Sequence, residues 1–222
     1  MGENALCCLS TENFLENTTE IGNVSRATLS RLKWPRFTDF KVYSLPTIAD
    51  GSCLIHSILQ GFSRRYGRST KQEKQEMTRE IRIALADRLL TAIPGSNKTY
   101  YDILSGGCLR EFSEHMPSFT AAEMQKLLRS SDYLGYGFLE FLGLAFGKDI
   151  YILSLREQGL YITDEYTHSL TKNRESLVLL YRGNHFETVL ARSRSAREDT
   201  LVSQFSPNHE FIKLLQLQLP RR

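Results

Sequence analysis

Cysteine is scarce in this sequence, and its four cysteines show neither the spacing of a zinc site nor that of a disulfide framework. Cys7 and Cys8 are adjacent near the N-terminus, whereas Cys53 and Cys108 are isolated. Unpaired thiols are typical of proteins in a reducing compartment. We therefore expect a cytoplasmic protein that binds no metal.

Long apolar runs are absent as well, because no segment approaches the roughly 20 residues that a membrane-spanning helix needs. The N-terminal segment also lacks the basic start and the apolar stretch of a signal peptide. The net charge is only +3, and the basic residues are scattered along the chain. Since nucleic-acid binding usually shows as a clustered basic face, we expect neither a membrane nor nucleic acid as a partner.

Hydrophobic residues are present at an ordinary level, 41% of the 222 residues, which is enough to form a full core. The length suits one domain with a short extension. Residues 1–37 have no clear periodicity and predict an N-terminal extension, and residues 38–222 predict the domain. Helical spacing comes first in this domain and short β-rich runs follow, so we expect an α+β fold with a small central β-sheet flanked by helices.

Individual elements can be placed from periodicity and from capping residues. Apolar residues after Cys53 follow helical spacing, and Thr70 with Glu73 three residues later is the signature of a capping box at the start of a long helix. A last helix is predicted at 208–217. Strands are predicted at 40–45, 150–153, 160–162, 177–181 and 185–190.

One cysteine occurs where a reactive thiolate is expected, in the stretch Asp50-Gly51-Ser52-Cys53. The first three residues favour a tight turn in which Gly51 can take a positive φ, and Cys53 would begin the helix. Unpaired N–H groups and the helix dipole would lower the pKa of this thiol. The same turn can aim backbone N–H groups into one hollow, as an oxyanion hole requires. The alternative is an inert buried thiol that packs as a small hydrophobic side chain.

A cysteine nucleophile needs an imidazole, and His185 is the best candidate because it begins an apolar strand directly after a Gly-Asn turn. Glu187 follows two residues later on the same strand face, with Cα atoms about 6.5 Å apart, so its carboxylate can orient the imidazole. Phe186 points to the opposite face, as a core anchor or as a wall of the site. His56 lies on the same helix as Cys53 and is interpreted as structural.

Together these segments resemble the ovarian tumour (OTU) family of cysteine deubiquitinases. The family's nucleophile motif, Asp-Gly-x-Cys-Leu and an aromatic or aliphatic residue, is matched by residues 50–55. Its histidine motif, a strand followed by a Gly-x-His turn and an aromatic residue, is matched by 177–186. Between them the family has a helix leading into a short strand, as 136–145 and 149–153 do here. The similarity covers residues 38–192 in the right order.

The resemblance implies a papain-like OTU fold and a Cys-His-acid triad that hydrolyses isopeptide bonds at the C-terminal glycine of ubiquitin without a cofactor. Cys53 would be the nucleophile and His185 the general base. Glu187 would be the orienting acid, although the family usually has Asp or Asn at this position. Asp50 would support the oxyanion loop. The expected partners of this thiol protease are ubiquitin, polyubiquitin or other ubiquitin-like modifiers, and we expect a monomer.

The resemblance also assigns the surroundings of the triad. Backbone N–H groups of Gly51 and Ser52 would hold the oxyanion, and Phe186 and Asn184 would line the substrate channel. Asn184 is a second candidate for orienting the imidazole. Two other functions stay open, a cysteine peptidase for another ubiquitin-like modifier or a polyprotein, and a non-catalytic ubiquitin-binding module. A compact OTU core of this kind would suit a viral or bacterial effector in a host cytosol.

Overall fold

The computed structural model of this chain describes residues 28–33, 37–93, 95–102, 120–154, 159–162, 174–195 and 201–217. Most of the predicted extension and three of the four cysteines lie outside these ranges. In chain order the helices are α1 (Cys53–Phe62), α2 (Arg64–Arg68), α3 (Lys71–Arg88), α4 (Ala121–Arg129), α5 (Leu139–Phe146) and α6 (Glu210–Leu217), and a 3₁₀ turn (Tyr136–Phe138) precedes α5. The strands are β1 (Ser30–Leu32), β2 (Phe40–Leu45), β3 (Asp149–Ser154), β4 (Gly159–Ile162), β5 (Ser176–Tyr181), β6 (Phe186–Ser193) and β7 (Gln204–Phe205).

The described strands form one mixed sheet in the order β1-β2-β6-β5-β3-β4, and β7 pairs with β5. The pair of β3 and β5 is parallel, and the other pairs are antiparallel. Helices flank this sheet, which confirms the α+β prediction, and the five predicted strands are all present. The edge strand β1 lies inside the predicted extension but pairs with β2, so the sheet continues across the boundary that we expected at residue 37.

One face of the sheet carries α1, which is the helix that positions the candidate nucleophile. Its apolar residues are fully buried: Leu54, Ile55, Ile58, Leu59 and Phe62. The Thr188 hydroxyl on β6 donates to the Ser57 carbonyl of α1 at 2.8 Å. Gly61 allows close contact with β5, because a Cβ there would lie 3.0 Å from the Leu177 side chain. The N-terminus of α1 is thereby fixed beside the start of β6.

The opposite face of the sheet is covered by α6 and by an aromatic cluster. The Phe211 ring of α6 lies 5.0 Å from that of Phe37 and 5.2 Å from those of Phe40 and Phe205. All four rings are buried, so they contribute both apolar area and favourable edge contacts. Phe37 belongs to this core although it lies at the predicted end of the extension.

Helices α3 and α4 begin with the capping signals that the sequence contains. At α3 the Glu73 carboxylate accepts from the Thr70 N–H at 2.7 Å, and the Thr70 hydroxyl accepts from the Glu73 N–H at 3.3 Å. This confirms the predicted capping box, and α4 repeats it with Thr120 and Glu123. Helices α3 and α4 pack against each other. No helix in the described ranges has the length and apolar content to cross a membrane.

Candidate active site

Cys53 is the first residue of α1, where the sequence predicted it. Its sulfur lies near the backbone N–H groups of Phe186 and Leu54, each of which acts to lower the pKa of the thiol. Phe186 begins β6 and directly follows His185. The fold therefore brings the predicted nucleophile and the segment of the predicted base, which are distant in the sequence, to one place.

The acidity of the Cys53 thiol differs from the expectation. Burial raises the pKa of Cys53, and the N–H groups of Phe186 and Leu54 offset this only in part, while the negative charge of Asp50 raises it further. The residue is only 2% exposed. The prediction of a lowered pKa is wrong for this state, because the loss of water outweighs the N–H groups at the start of the helix. At neutral pH the resting sulfur is therefore a thiol.

The His185 ring is oriented by a residue that the sequence did not indicate. Its Nε2 lies 3.2 Å from the Thr47 hydroxyl oxygen, and the Thr47 hydroxyl donates to the Phe186 carbonyl at 2.5 Å. A hydroxyl has one proton to donate, so Thr47 accepts from an N–H at Nε2. This tautomer leaves the lone pair on Nδ1, which is the nitrogen that can then accept a proton.

Glu187 does not make the predicted hydrogen bond to His185. Its Oε1 accepts from the Arg182 guanidinium at 2.7 Å, and its buried Oε2 accepts no hydrogen bond in the described part of the chain. The prediction of a His185–Glu187 contact is thus wrong for this conformation. The reason is that Arg182, just after β5, offers the carboxylate a charged guanidinium donor, and charge-assisted hydrogen bonds are strong.

Asp50 is part of a buried hydrogen-bonded chain. Both of its carboxylate oxygens lie 3.1 Å from Nε2 of His56, whose Nδ1 lies 2.8 Å from the Tyr66 hydroxyl, and Oδ1 also accepts from the Ser52 N–H at 3.1 Å. Burial alone would raise the pKa of Asp50, but His56, Ser52 and Gln75 together lower it. Burial lowers the pKa of His56 against the effect of Asp50. A charged Asp50 and a neutral His56 follow, and they hold the turn that precedes Cys53.

The oxyanion loop, residues 50–53, offers fewer free donors than the sequence suggested. The Ser52 N–H is committed to Asp50, so it cannot also serve an oxyanion. Among the described residues no group accepts a hydrogen bond from the N–H of Gly51, and the N–H of Cys53 acts only to lower the pKa of its own thiol. Gly51 and Cys53 are therefore the backbone donors that remain, and Ser52 is corrected from donor to structural contact.

The predicted channel residues occupy different environments. The Phe186 ring is completely buried and stacks on Tyr133, with centroids 6.1 Å apart and planes 10° apart. Burial favours the first of the two predicted roles, that of core anchor, and its role beside the substrate stays a prediction. Tyr133, 39% exposed, covers it at the surface. Asn184 is exposed, and its side chain makes no recorded hydrogen bond within the described ranges.

Sequence reasoning missed Thr47, Tyr133 and Arg82. Thr47 meets His185 only because β2 pairs with β6, which no local pattern reveals. Arg82 is 2% exposed on α3, one turn after the buried Thr78, so helical spacing was the signal that it lies on the inner face. Nothing near Tyr133 in the sequence distinguishes it from an ordinary loop aromatic.

The described side chains include no group of three or more His, Cys, Asp or Glu that could hold a metal ion. No protein-family model matches the sequence, and no curated protein matches it. Solved structures do match. An ovarian tumour (OTU) domain in complex with ubiquitin is 13% identical, with a TM-score of 0.52 over 88% of this chain and 94% of that chain.

The chain has the fold of an OTU domain. A second similar structure is the OTU domain of OTUD1, which is 18% identical, with a TM-score of 0.41 over 67% of this chain and 85% of that chain. The first of these two matches confirms the predicted OTU fold. In this fold the Cys53 turn and the start of β6 meet, and the chemistry of the site has to be argued from its own side chains.

Proposed function

We propose that this OTU-fold protein is a thiol-dependent deubiquitinase that cleaves isopeptide bonds at the C-terminal glycine of ubiquitin. The observation that carries the proposal is that the backbone N–H of Phe186, the residue directly after His185, lies near enough to the Cys53 sulfur to lower its pKa. The ubiquitin bound to the similar OTU domain supports this choice of substrate.

The reaction begins with a thiol rather than an ion pair, because burial raises the pKa of Cys53. Nδ1 of His185 accepts the thiol proton as the sulfur attacks the glycine carbonyl carbon, and the N–H groups of Gly51 and Cys53 stabilise the oxyanion. The C–N bond then breaks, and His185 returns the proton to the departing lysine amine. The resulting thioester is hydrolysed by a water molecule that gives its proton to His185, which releases the free carboxylate and restores the thiol.

Thr47 supports these reaction steps by fixing which nitrogen of His185 acts as the base. Since Nε2 of His185 donates to Thr47, Nδ1 is the base in each proton transfer. The imidazolium that forms keeps the same bond, so the ring does not have to turn between the two steps. Glu187 binds Arg182 rather than His185, so it has no assigned role in these steps.

The proposal is tested by mixing the purified chain with ubiquitin carrying a C-terminal propargylamide. We expect covalent capture that is lost in Cys53→Ala and kept in Cys108→Ser, which is the matched thiol control. Hydrolysis of a fluorogenic ubiquitin amide should follow the same pattern. Capture that survives Cys53→Ala would refute the assignment of the nucleophile.

A non-catalytic ubiquitin-binding module is the second candidate, favoured by the 2% exposure of Cys53 and its raised pKa. It predicts that wild type binds ubiquitin but is neither captured nor active. Replacing ubiquitin by other ubiquitin-like modifiers in the same assay tests the remaining alternative of a different modifier. We propose the cytoplasm as the location, since the mechanism needs a reduced thiol.

A further inference from the structure

The Arg82 guanidinium has an unusual set of partners, all of them neutral. Nε donates to the Leu128 carbonyl at 2.9 Å, and Nη2 donates to the carbonyls of Leu127 at 2.7 Å and Asp132 at 2.9 Å. Nη1 makes two further contacts, both with the oxyanion loop, which brings the total to five. A guanidinium has five N–H donors, so Arg82 uses its full capacity.

The contacts of Nη1 reach the turn before the nucleophile. Nη1 lies 3.2 Å from the Ser52 hydroxyl oxygen and 3.4 Å from the Gly51 carbonyl oxygen. The Leu134 N–H donates to the same Gly51 carbonyl at 3.3 Å. Arg82 therefore joins two segments, the oxyanion loop on one side and the C-terminal end of α4 with the following loop on the other.

Burying this charge is costly, because an ion removed from water loses several kcal/mol of hydration. Burial accordingly lowers the pKa of Arg82, against the more distant charges of Asp132 and Asp50. An apolar side chain of similar volume would fill the space without that cost. The guanidinium instead fixes the positions of five acceptors relative to one another, because its N–H donors lie in one rigid plane.

The orientation of the Gly51–Ser52 peptide depends on these bonds. Its carbonyl points to Arg82 and Leu134, and its N–H points to Asp50. Glycine imposes few limits on rotation, so a released peptide can turn its carbonyl oxygen toward the sulfur side. A carbonyl there would repel the oxyanion that develops during attack.

We propose that Arg82 is a positioning residue that holds the Gly51 carbonyl away from the oxyanion and fixes both segments beside Cys53. This inference rests on the proposed function for its kinetic consequence, whereas its structural consequence does not. Arg82 touches no reacting atom, so its loss should lower the rate of acyl transfer and leave ubiquitin binding intact.

The test compares Arg82→Lys and Arg82→Met with wild type and with Arg79→Met. Lys keeps the positive charge but not the planar fork, and Arg79 lies on the same helix, exposed and paired with Glu76. Hydrolysis of the fluorogenic ubiquitin amide gives kcat and KM. Alkylation of Cys53 by iodoacetamide, followed by peptide mass spectrometry, reports the thiol alone, because this reaction forms no oxyanion.

We expect kcat to fall about 10²-fold in both Arg82 variants, as for the loss of an oxyanion donor. KM and the alkylation rate should stay within threefold, and Arg79→Met should match wild type. A kcat within twofold of wild type in both variants overturns the inference. So does an equal fall in kcat, ubiquitin affinity and alkylation, because general unfolding would produce that pattern.

Hydrogen–deuterium exchange separates this inference from the proposed function. The amides of Ser52 and Leu134 should exchange at least tenfold faster in folded Arg82→Met than in wild type, while amides in β5 keep their rates. This result is expected even if wild type cleaves no ubiquitin, an outcome that would refute only the proposed function. Unchanged exchange at both amides would refute the role of Arg82.

Discussion

Replacing Gly51 by alanine tests the packing of the oxyanion loop most directly. Gly51 has a φ of +82°, a conformation that residues with a Cβ rarely adopt. An added Cβ would also lie 1.9 Å from the Ser131 carbonyl oxygen. Gly95 is a matched control, because its φ is +75° and no atom of the described residues lies within 4 Å of the position of its Cβ. The pair separates backbone strain from the clash with Ser131.

The expected magnitudes follow from these two effects. Backbone strain costs about 1–2 kcal/mol at either glycine. At Gly51 the Ser131 carbonyl must also move by about 1.5 Å, from 1.9 Å to the 3.4 Å of ordinary contact. Overpacking of this kind costs about 1–3 kcal/mol. The free energy of unfolding should therefore fall by about 2–5 kcal/mol in Gly51→Ala and by about 1–2 kcal/mol in Gly95→Ala.

Urea unfolding followed by circular dichroism measures this difference. With an m-value of about 2 kcal/mol/M, the midpoint of Gly51→Ala should lie about 0.5–1.5 M below that of Gly95→Ala. Turnover of the ubiquitin substrate should fall in folded Gly51→Ala and stay near wild type in Gly95→Ala. Equal midpoints for the two variants would show that Gly51 is not packed against Ser131.

The other predictions concern the histidines and their partners. Thr47→Val should lower kcat about two- to tenfold, as expected for one neutral hydrogen bond, and Thr47→Ser should restore it; equal rates in both variants would contradict the tautomer argument. Glu187→Ala should lower turnover less than His185→Ala, for which about 10²–10⁴-fold is expected, since Thr47 still orients the ring. Burial lowers the pKa of His56 in the folded protein, so the unfolded chain binds a proton at this residue more tightly. The urea midpoint of unfolding should therefore fall as the pH drops below about 6.5, the ordinary pKa of histidine. His56→Gln should flatten that slope more than His209→Gln, whose pKa burial also lowers; an unchanged slope in both would refute the assignment.

The local parts of the site could be predicted because they depend on short stretches of sequence. Neighbouring residues determine three such features: the turn before Cys53, the helix that Cys53 begins, and the capping box at Thr70. The strands could be placed from their β-rich composition, and β2 matches its predicted bounds, Phe40–Leu45. The helix predicted after Cys53 is less regular, since Ser63 ends α1 and caps α2.

The partners of the histidine could not be predicted, because they depend on strand register and on competition between donors. Thr47 follows β2, and it reaches His185 only because Leu45 pairs with Thr188. Glu187 has the spacing of an orienting acid, but its carboxylate accepts a hydrogen bond from the charged Arg182 instead. The spacing rule does not take this competing donor into account. Period-two geometry gives the face of a strand, and it does not decide which neighbour on that face forms the bond.

Asp50 has two opposing effects on the turn that precedes Cys53. The negative charge of Asp50 fixes the Ser52 N–H and thus the turn, yet the same charge raises the pKa of the nearby sulfur. Burial acts in the same direction, and the N–H groups at the start of α1 do not outweigh them. In the proposed mechanism the sulfur therefore starts as a thiol, and its attack depends on a lone pair at Nδ1 of His185. The bond to Thr47 provides that lone pair, so in the proposed mechanism the orientation of the ring, rather than the acidity of the thiol, controls proton transfer.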